Sequence, residues 1–306
     1  MHRGPPRIYV QVPAYRDAQL VPTLRDLLDM AARPERLVVA VAWQHGQDEA
    51  WSAGELRRLS THLLDLPATG SQGCNWAREL LQQRWDGEEY TLFLDSHHRF
   101  VPGWDDALLD LHRRLQEGGV ERPLLSGYLP PFDPADDPGG RVRAVYRMDL
   151  AERRGGLMYR LTGHVVPGWD GLRRPTAAAF VSLHLLFVEG RFNEVVPMDP
   201  GIYFFADEVA VALRAFTHGY DLFHPHVVLG WHLYDRGSRT THWADHADGV
   251  TRTAQSLERI RSLYAGADLG SYGLGGLRSR HDYERLVGRR LCDEARHGGH
   301  NLEEVS

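Results

Sequence analysis

Residues 90–100 read YTLFLDSHHRF: an apolar run from Tyr90 to Leu94 gives way at once to Asp95, Ser96, His97 and His98. In open α/β sheets ligands gather beyond the carboxyl ends of the strands, so polar side chains at such a point are candidates by position. While the backbone stays extended, residues i and i+2 point one way and i+1 the other. Asp95 and His97 are therefore expected to share a cation, with His98 facing elsewhere. A carboxylate oxygen beside an imidazole nitrogen suits Mn²⁺ or a similar borderline ion better than Ca²⁺ or Mg²⁺, which favour all-oxygen shells. Two protein ligands are too few for a closed site. The competing reading has Asp95 capping a turn between surface histidines.

Outward from that strand, the chain alternates. Arg7 to Val12 (RIYVQV) is β-branched and aromatic and stops at Pro13, which predicts a strand entering a loop with Tyr15, Arg16 and Asp17. Leu20, Val21, Leu24, Leu27, Leu28 and Ala31 recur at helical spacing within Leu20 to Ala32. Arg36 to Trp43 (RLVVAVAW) has the continuous apolar character of a strand covered on both faces. Further helices are expected from Cys74 to Trp85 and from Trp104 to Gln116, and a short strand from Leu124 to Tyr128. Strands alternating with helices imply a mostly parallel sheet flanked by helices on both sides. Pro130 to Pro175 is rich in Pro, Gly and charge and predicts long surface loops, the usual material of lids and binding segments. Apolar order returns at Ala177 to Val188. A helix from Asp207 to His218, a strand from Tyr220 to Phe223, and helices over Thr251 to Leu263 and Asp282 to Asp293 complete the expectation.

Composition bounds the partners. With 306 residues, 42% hydrophobic and 25% charged, the chain has the make-up of a globular protein with a sizeable core. A net charge of −6 with interspersed signs offers no reason to bind nucleic acid. No apolar run reaches the roughly 20 residues of a membrane span, and no signal-peptide stretch is present. Cys74 and Cys292 build neither a disulfide framework nor a four-ligand zinc site, which suits a reducing cytoplasm.

Several motifs, in order, carry a family resemblance: VPAYRD (12–17), CNWAR (74–78), LDSHHRFVPGWD (94–105), DPGIYFFADE (199–208), GYDLFHP (219–225), GWHLY (230–234) and SYGLGGLRSRHDYERLVG (271–288). The chain resembles GT-A-fold glycosyltransferases. It is most similar to the UDP-GlcNAc:polypeptide (hydroxyproline/Ser/Thr) N-acetylglucosaminyltransferases and more distantly similar to the polypeptide GalNAc-transferases. The resemblance spans about residues 8 to 288. It implies a GT-A-like, Rossmann-like mixed sheet flanked by helices over residues 1–248, with a C-terminal helical extension, 249–306, packed on the same domain.

The resemblance also implies roles. Asp95 and His97 would be metal ligands with His232 of GWHLY as the third, for Mn²⁺ or Mg²⁺. Pro13, Tyr15, Arg16 and Asp17 would hold uracil and ribose, and Arg78 and Ser96 would lie near the donor. A capping role for Asp17 and a solvated helix position for Arg78 are the alternatives. Asp207 and Glu208 match an acidic pair that the family shows as GEE, here with Ala206 in place of the glycine. They would hold donor-sugar hydroxyls or the attacking hydroxyl, while also favouring the positive end of the following helix. The implied reaction takes GlcNAc from a UDP-sugar to an acceptor hydroxyl on a peptide, protein or small natural product, with retention of configuration.

His242 and His246 are read as surface residues, and His224 and His226 as loop residues. Trp104, Tyr128, Trp169 and Trp231 are read as core aromatics before sugar platforms. Gly273, Gly275 and Gly276 do not follow a strand in the dinucleotide pattern, which sets aside NAD. A metal-dependent nucleotide-sugar phosphohydrolase and a non-catalytic carbohydrate-binding protein remain the other readings.

Overall fold

Strand β1 (Ile8–Tyr15) is buried along nearly its full length because sheet neighbours flank it and helices cover both faces. In this computed structural model, which describes residues 5–47, 49, 51–235, 237 and 239–292, β1 is followed by α1 (Leu20–Asp29) and then by β2 (Leu37–His45), parallel to β1. Next come α2 (Ala53–Leu59), β3 (His62–Pro67), α3 (Cys74–Gln82), β4 (Tyr90–Leu94), β5 (His98–Phe100), α4 (Trp104–Glu117) and β6 (Pro123–Ser126). A hairpin of β7 (Tyr146–Arg154) and β8 (Leu157–Val165) leads to β9 (Thr176–Ala177), β10 (Leu185–Glu189), α5 (Phe192–Val195) and α6 (Asp207–Thr217). The remaining elements are β11 (Asp221–His224), β12 (Gly230–His232), α7 (His242–Asp245), α8 (Gly249–Ala265) and α9 (Arg280–Val287).

The main sheet has the order β3-β2-β1-β4-β10-β6-β11-β9. Strands β3, β2, β1 and β4 are parallel, but β10 runs antiparallel to both β4 and β6, so the sheet is mixed. The period-two alternation divides β1 cleanly. Ile8, Val10 and Val12 pack with Leu20, Leu24 and Leu27 of α1 and Leu108 and Leu111 of α4, whereas Tyr9 packs with Ala77 and Leu81 of α3. Each fully buried aliphatic side chain contributes about 1.5–3 kcal/mol. A third cluster gathers α6 with Ile260, Leu263 and Tyr264 of α8 and Tyr283 of α9.

The structure corrects the sequence reading in several places. The stretch read as long loops contains the β7–β8 hairpin, turned by Gly155 and Gly156, both at positive φ (55° and 78°) as a two-residue primed turn requires. Its alternation is masked in sequence by the many arginines. Between Trp43 and Cys74, α2 and β3 were not anticipated, since both are short and only part-buried. Within 177–188 strand is limited to Ala177, which ends β9, and to the residues from Leu185 onward in β10, although the segment is mostly buried. His224 lies in β11, buried, with Nδ1 3.1 Å from the Ser126 carbonyl. The end of the last expected helix, Asp293, and the rest of 293–306 lie outside the described residues. Among the described residues no helix is long and apolar enough to cross a membrane.

A small second sheet pairs β12 with β5, setting Gly230 opposite Phe100 and His232 opposite His98. Gly230 is required there: a Cβ at this position would lie 2.4 Å from the Arg99 carbonyl oxygen. Gly230→Ala therefore has to push the two strands apart, and is expected to cost about 1–3 kcal/mol of stability in a denaturant titration. A wild-type midpoint would show that this close approach is not a constraint.

Candidate active site

Parallel pairing of β1 with β4 brings their carboxyl ends to one edge of the sheet, so the loops carrying Tyr15–Asp17 and Asp95–His97 meet there. The antiparallel β10 starts at the same edge, with Leu185 opposite Leu94, and so places His184 beside Asp95. The β5–β12 pairing adds His232, 137 residues from Asp95 in sequence, with Nε2 3.3 Å from Asp95 Oδ2. His97 Nε2 lies 3.9 Å from the same oxygen. One ligand atom from each of Asp95, His97 and His232 falls within 4.8 Å of the others.

The surrounding groups aim these ligands. His97 Nδ1 donates to Asp17 Oδ2 at 2.7 Å, which leaves Nε2 turned towards Asp95. Ser96 Oγ donates to the same Asp17 oxygen at 2.7 Å, and Asp17 Oδ1 accepts the Gln19 amide at 2.8 Å just ahead of α1. Asp17 lines the cavity, and both its oxygens accept hydrogen bonds from the protein, one of them holding the His97 ring. It is not the side-chain cap of α1, whose N-cap is Gln19.

Arg78, 4% exposed, is no solvated helix residue: Nη2 donates to Asp95 Oδ1 at 2.9 Å and Nη1 lies 3.8 Å from Asp207. Burial alone would raise the Asp95 pKa, but the His232 hydrogen bond and the Arg78 and His97 charges hold it well below the usual carboxylate range. Burial drives His232 and His184 well below the usual imidazole value, so both stand neutral near pH 7.

His98 lies outside the Asp95, His97 and His232 group and is buried. The backbone bends at Ser96 and His97, ending the extended alternation, and the buried His98 ring lies with its centroid 5.0 Å from that of His232. Its Nδ1 is 3.0 Å from the Asp95 carbonyl, and burial pushes its pKa down to about 3.

Asp207 and Glu208 open the first turn of α6 after two residues in the left-handed region, Phe205 (φ 60°) and Ala206 (φ 57°). That conformation favours glycine, so Ala206 holds it under strain. Asn75 Nδ2 donates to Asp207 Oδ2 at 3.3 Å. Glu208 Oε1 accepts from Ser182 Oγ at 2.6 Å and the Leu183 amide at 3.0 Å. Burial, reinforced by the Asp207 charge, raises the Glu208 pKa to about 7. Burial also raises that of Asp207, against the Arg78 charge.

These groups line a cavity of about 800 Å³ with Pro13 and Tyr15 on its wall. Arg16 (φ 44°) turns away from it to pair with Asp245 at 3.0 Å and Glu49 at 3.3 Å. Tyr15 Oη donates to Asp245 at 2.7 Å, and its ring lies 4.8 Å from that of His242. His242 is buried, not on the surface as expected: Nε2 meets Ser71 Oγ at 2.9 Å and the ring stacks on His246 at 4.0 Å. Burial lowers its pKa to about 4. Trp104 and Trp231 are core aromatics, whereas Tyr128 lines the cavity.

Sequence reasoning missed two contributors. His184 stacks on His232 with centroids 4.4 Å apart, and Arg239 sets Nη1 2.6 Å from His97 Nε2. Neither carries a local signal: the first sits in an apolar run, and the second depends on the path of a loop.

The family described as Glycosyltransferase (GlcNAc) matches residues 7–62 and 52–289. The structure of GalNAc-T7 with UDP, GalNAc and Mn²⁺ is similar at 13% identity and a TM-score of 0.57, covering 93% of this chain and 55% of that one. The chain thus spans about half the length of that protein. Residues 1–349 of S. aureus TarS in complex with UDP-GlcNAc match at 13% identity and a TM-score of 0.55, over 92% of this chain and 70% of that one. Curated protein sequences give no match. The structural likenesses establish a GT-A glycosyltransferase fold, and on the family match, which covers most of its length, the chain belongs to the glycosyltransferase (GlcNAc) family.

Proposed function

We propose that the protein transfers GlcNAc from UDP-GlcNAc to an acceptor hydroxyl, using a divalent cation, Mn²⁺ by preference, held by Asp95, His97 and His232. The convergence of these three side chains, one of them distant in sequence, carries the reading. The donor set suits such an ion. Atoms sharing an octahedral ion at about 2.1 Å lie about 3 Å apart, and the separations from Asp95 Oδ2 are 3.3 and 3.9 Å. The mixed oxygen and nitrogen shell favours Mn²⁺ over Mg²⁺. The Arg239 guanidinium has to turn out of the cluster to admit it. The Mn²⁺ and UDP of one structural neighbour and the UDP-GlcNAc of the other support the choice of ion and donor.

When bound, the ion supplies positive charge against the diphosphate as the glycosidic bond breaks. Pro13 and Tyr15 form the wall against which the nucleotide lies. Arg78 holds Asp95 and Asp207 in place, and Asp207 and Glu208 accept hydrogen bonds from hydroxyls of the sugar or the acceptor. The acceptor oxygen bonds to the anomeric carbon as the bond to the diphosphate oxygen breaks. The electron pair departs with UDP, and the acceptor proton follows to the leaving phosphate oxygen. Attack on the face that the leaving group vacates retains configuration. In the region from 249 onward, α8 and α9 serve as a helical extension of the catalytic domain that precedes them.

With Mn²⁺ present, UDP release from UDP-GlcNAc is expected to fall about 100-fold or more in Asp95→Ala and His232→Ala. In Asp17→Asn, Mn²⁺ affinity is expected to weaken by roughly 10- to 100-fold; unaffected Asp95→Ala activity sinks the proposal. Once an acceptor is found, NMR of the product should show an α-linkage, and a β-linkage overturns the same-face mechanism. A carboxyl with a raised folded-state pKa binds its proton more tightly when folded. Glu208 therefore contributes stability that is full below about 4.5 and is lost as pH rises through about 7. Glu208→Gln is expected to flatten the decline of Tm across that window, leaving the smaller slope due to Asp207; an unchanged slope would mean that Glu208 ionises normally.

A further inference from the structure

We infer that His184 and Ser182 form a one-directional hydrogen-bond relay that positions Glu208, leaving its Oε2 as the acceptor presented to a substrate hydroxyl. This rests on the role proposed above for Glu208. The direction follows from the donors. The Leu129 amide donates to His184 Nε2 at 3.0 Å, so that nitrogen carries a lone pair and no proton. A neutral imidazole then has its proton on Nδ1, which lies 2.8 Å from Ser182 Oγ and donates to it. The serine hydroxyl, with its acceptor side occupied, spends its single proton on Glu208 Oε1 at 2.6 Å. The Leu183 amide donates to the same oxygen at 3.0 Å. Oε1 is thereby satisfied twice, while Oε2 has no partner among the described residues and the side chain lines the cavity.

Every member is fixed from behind. Ser182 is fully buried, its own amide donates to Ser126 Oγ at 2.7 Å, and Ser126 Oγ donates to the Ser182 carbonyl at 3.1 Å. His184 is 6% exposed and stacks on His232 at 4.4 Å with the rings 23° apart. One imidazole thus supports a proposed cation ligand through its face and a hydroxyl-binding carboxylate through its edge. Any displacement of His184 moves the donor side and the hydroxyl side of the cavity together.

The test compares Ser182→Ala, His184→Phe and Glu208→Gln, with folding checked by thermal melts. Rates are read as UDP release from UDP-GlcNAc in Mn²⁺, with water as the acceptor. His184→Phe keeps a stacking ring but loses both the Nδ1 donor to Ser182 and the Nε2 acceptor of the Leu129 amide. Ser182→Ala and His184→Phe are expected to lower kcat at least about tenfold, with KM for UDP-GlcNAc within about twofold of wild type, because the relay shapes the hydroxyl side. Long-range ¹H–¹⁵N spectra, with the His184 signal assigned by its loss in His184→Phe, are expected to show a neutral ring protonated on Nδ1. A ring protonated on Nε2, or wild-type kcat in both relay variants alongside an impaired Glu208→Gln, overturns the relay and leaves the Glu208 role standing. Wild-type rates in Glu208→Gln overturn that role and the relay with it.

Discussion

Asp95 is the carboxylate around which the polar half of this molecule is arranged. It sits at the end of a largely apolar, buried strand, where an unpaired negative charge is costly. The protein answers with Arg78 on one oxygen and two imidazoles facing the other. Each partner arrives on a different element: α3, the bend after β4, and β12. The sheet, the second small sheet and the helix packing all have to be correct before this one charge is satisfied.

The same arrangement explains why the site is rigid where it has to be. Asp17 holds the His97 ring from behind, Gly230 lets β12 approach β5 closely enough to present His232, and Arg78 ties Asp95 to the acidic turn that opens α6. The strained pair Phe205 and Ala206 belongs to that turn. Strain at such a point persists only because its surroundings over-determine it, and the Ala206 amide, donating to the Tyr159 carbonyl at 2.8 Å, is one of those constraints.

How much of this was legible in the sequence depended on whether the signal was local. The central strands announce themselves as continuous apolar runs and put Asp95 just past the carboxyl end of one, but it is the bend at Ser96 and His97, not extended alternation, that sets the His97 ring beside it. His232 was within reach only through a family resemblance, because its approach depends on a pairing between segments more than a hundred residues apart. His184 was invisible for a related reason: an antiparallel strand inserted between parallel ones brings its first residue, not its last, to the ligand edge. The buried position of His242 and the outward turn of Arg16 are likewise set by tertiary neighbours. The β7–β8 hairpin is a different failure, since its Gly-Gly turn was readable but lay among charges that suggested disorder of pattern.

Helices α8 and α9 bear on how small this enzyme can become. They bury Ile260, Leu263, Tyr264 and Tyr283 in the same cluster as α6, the helix whose first turn carries Asp207 and Glu208. The C-terminal helices therefore act as a buttress for α6. A chain trimmed to its sheet-bearing portion would leave the greasy underside of α6 bare to water and its acidic tip without a firm footing.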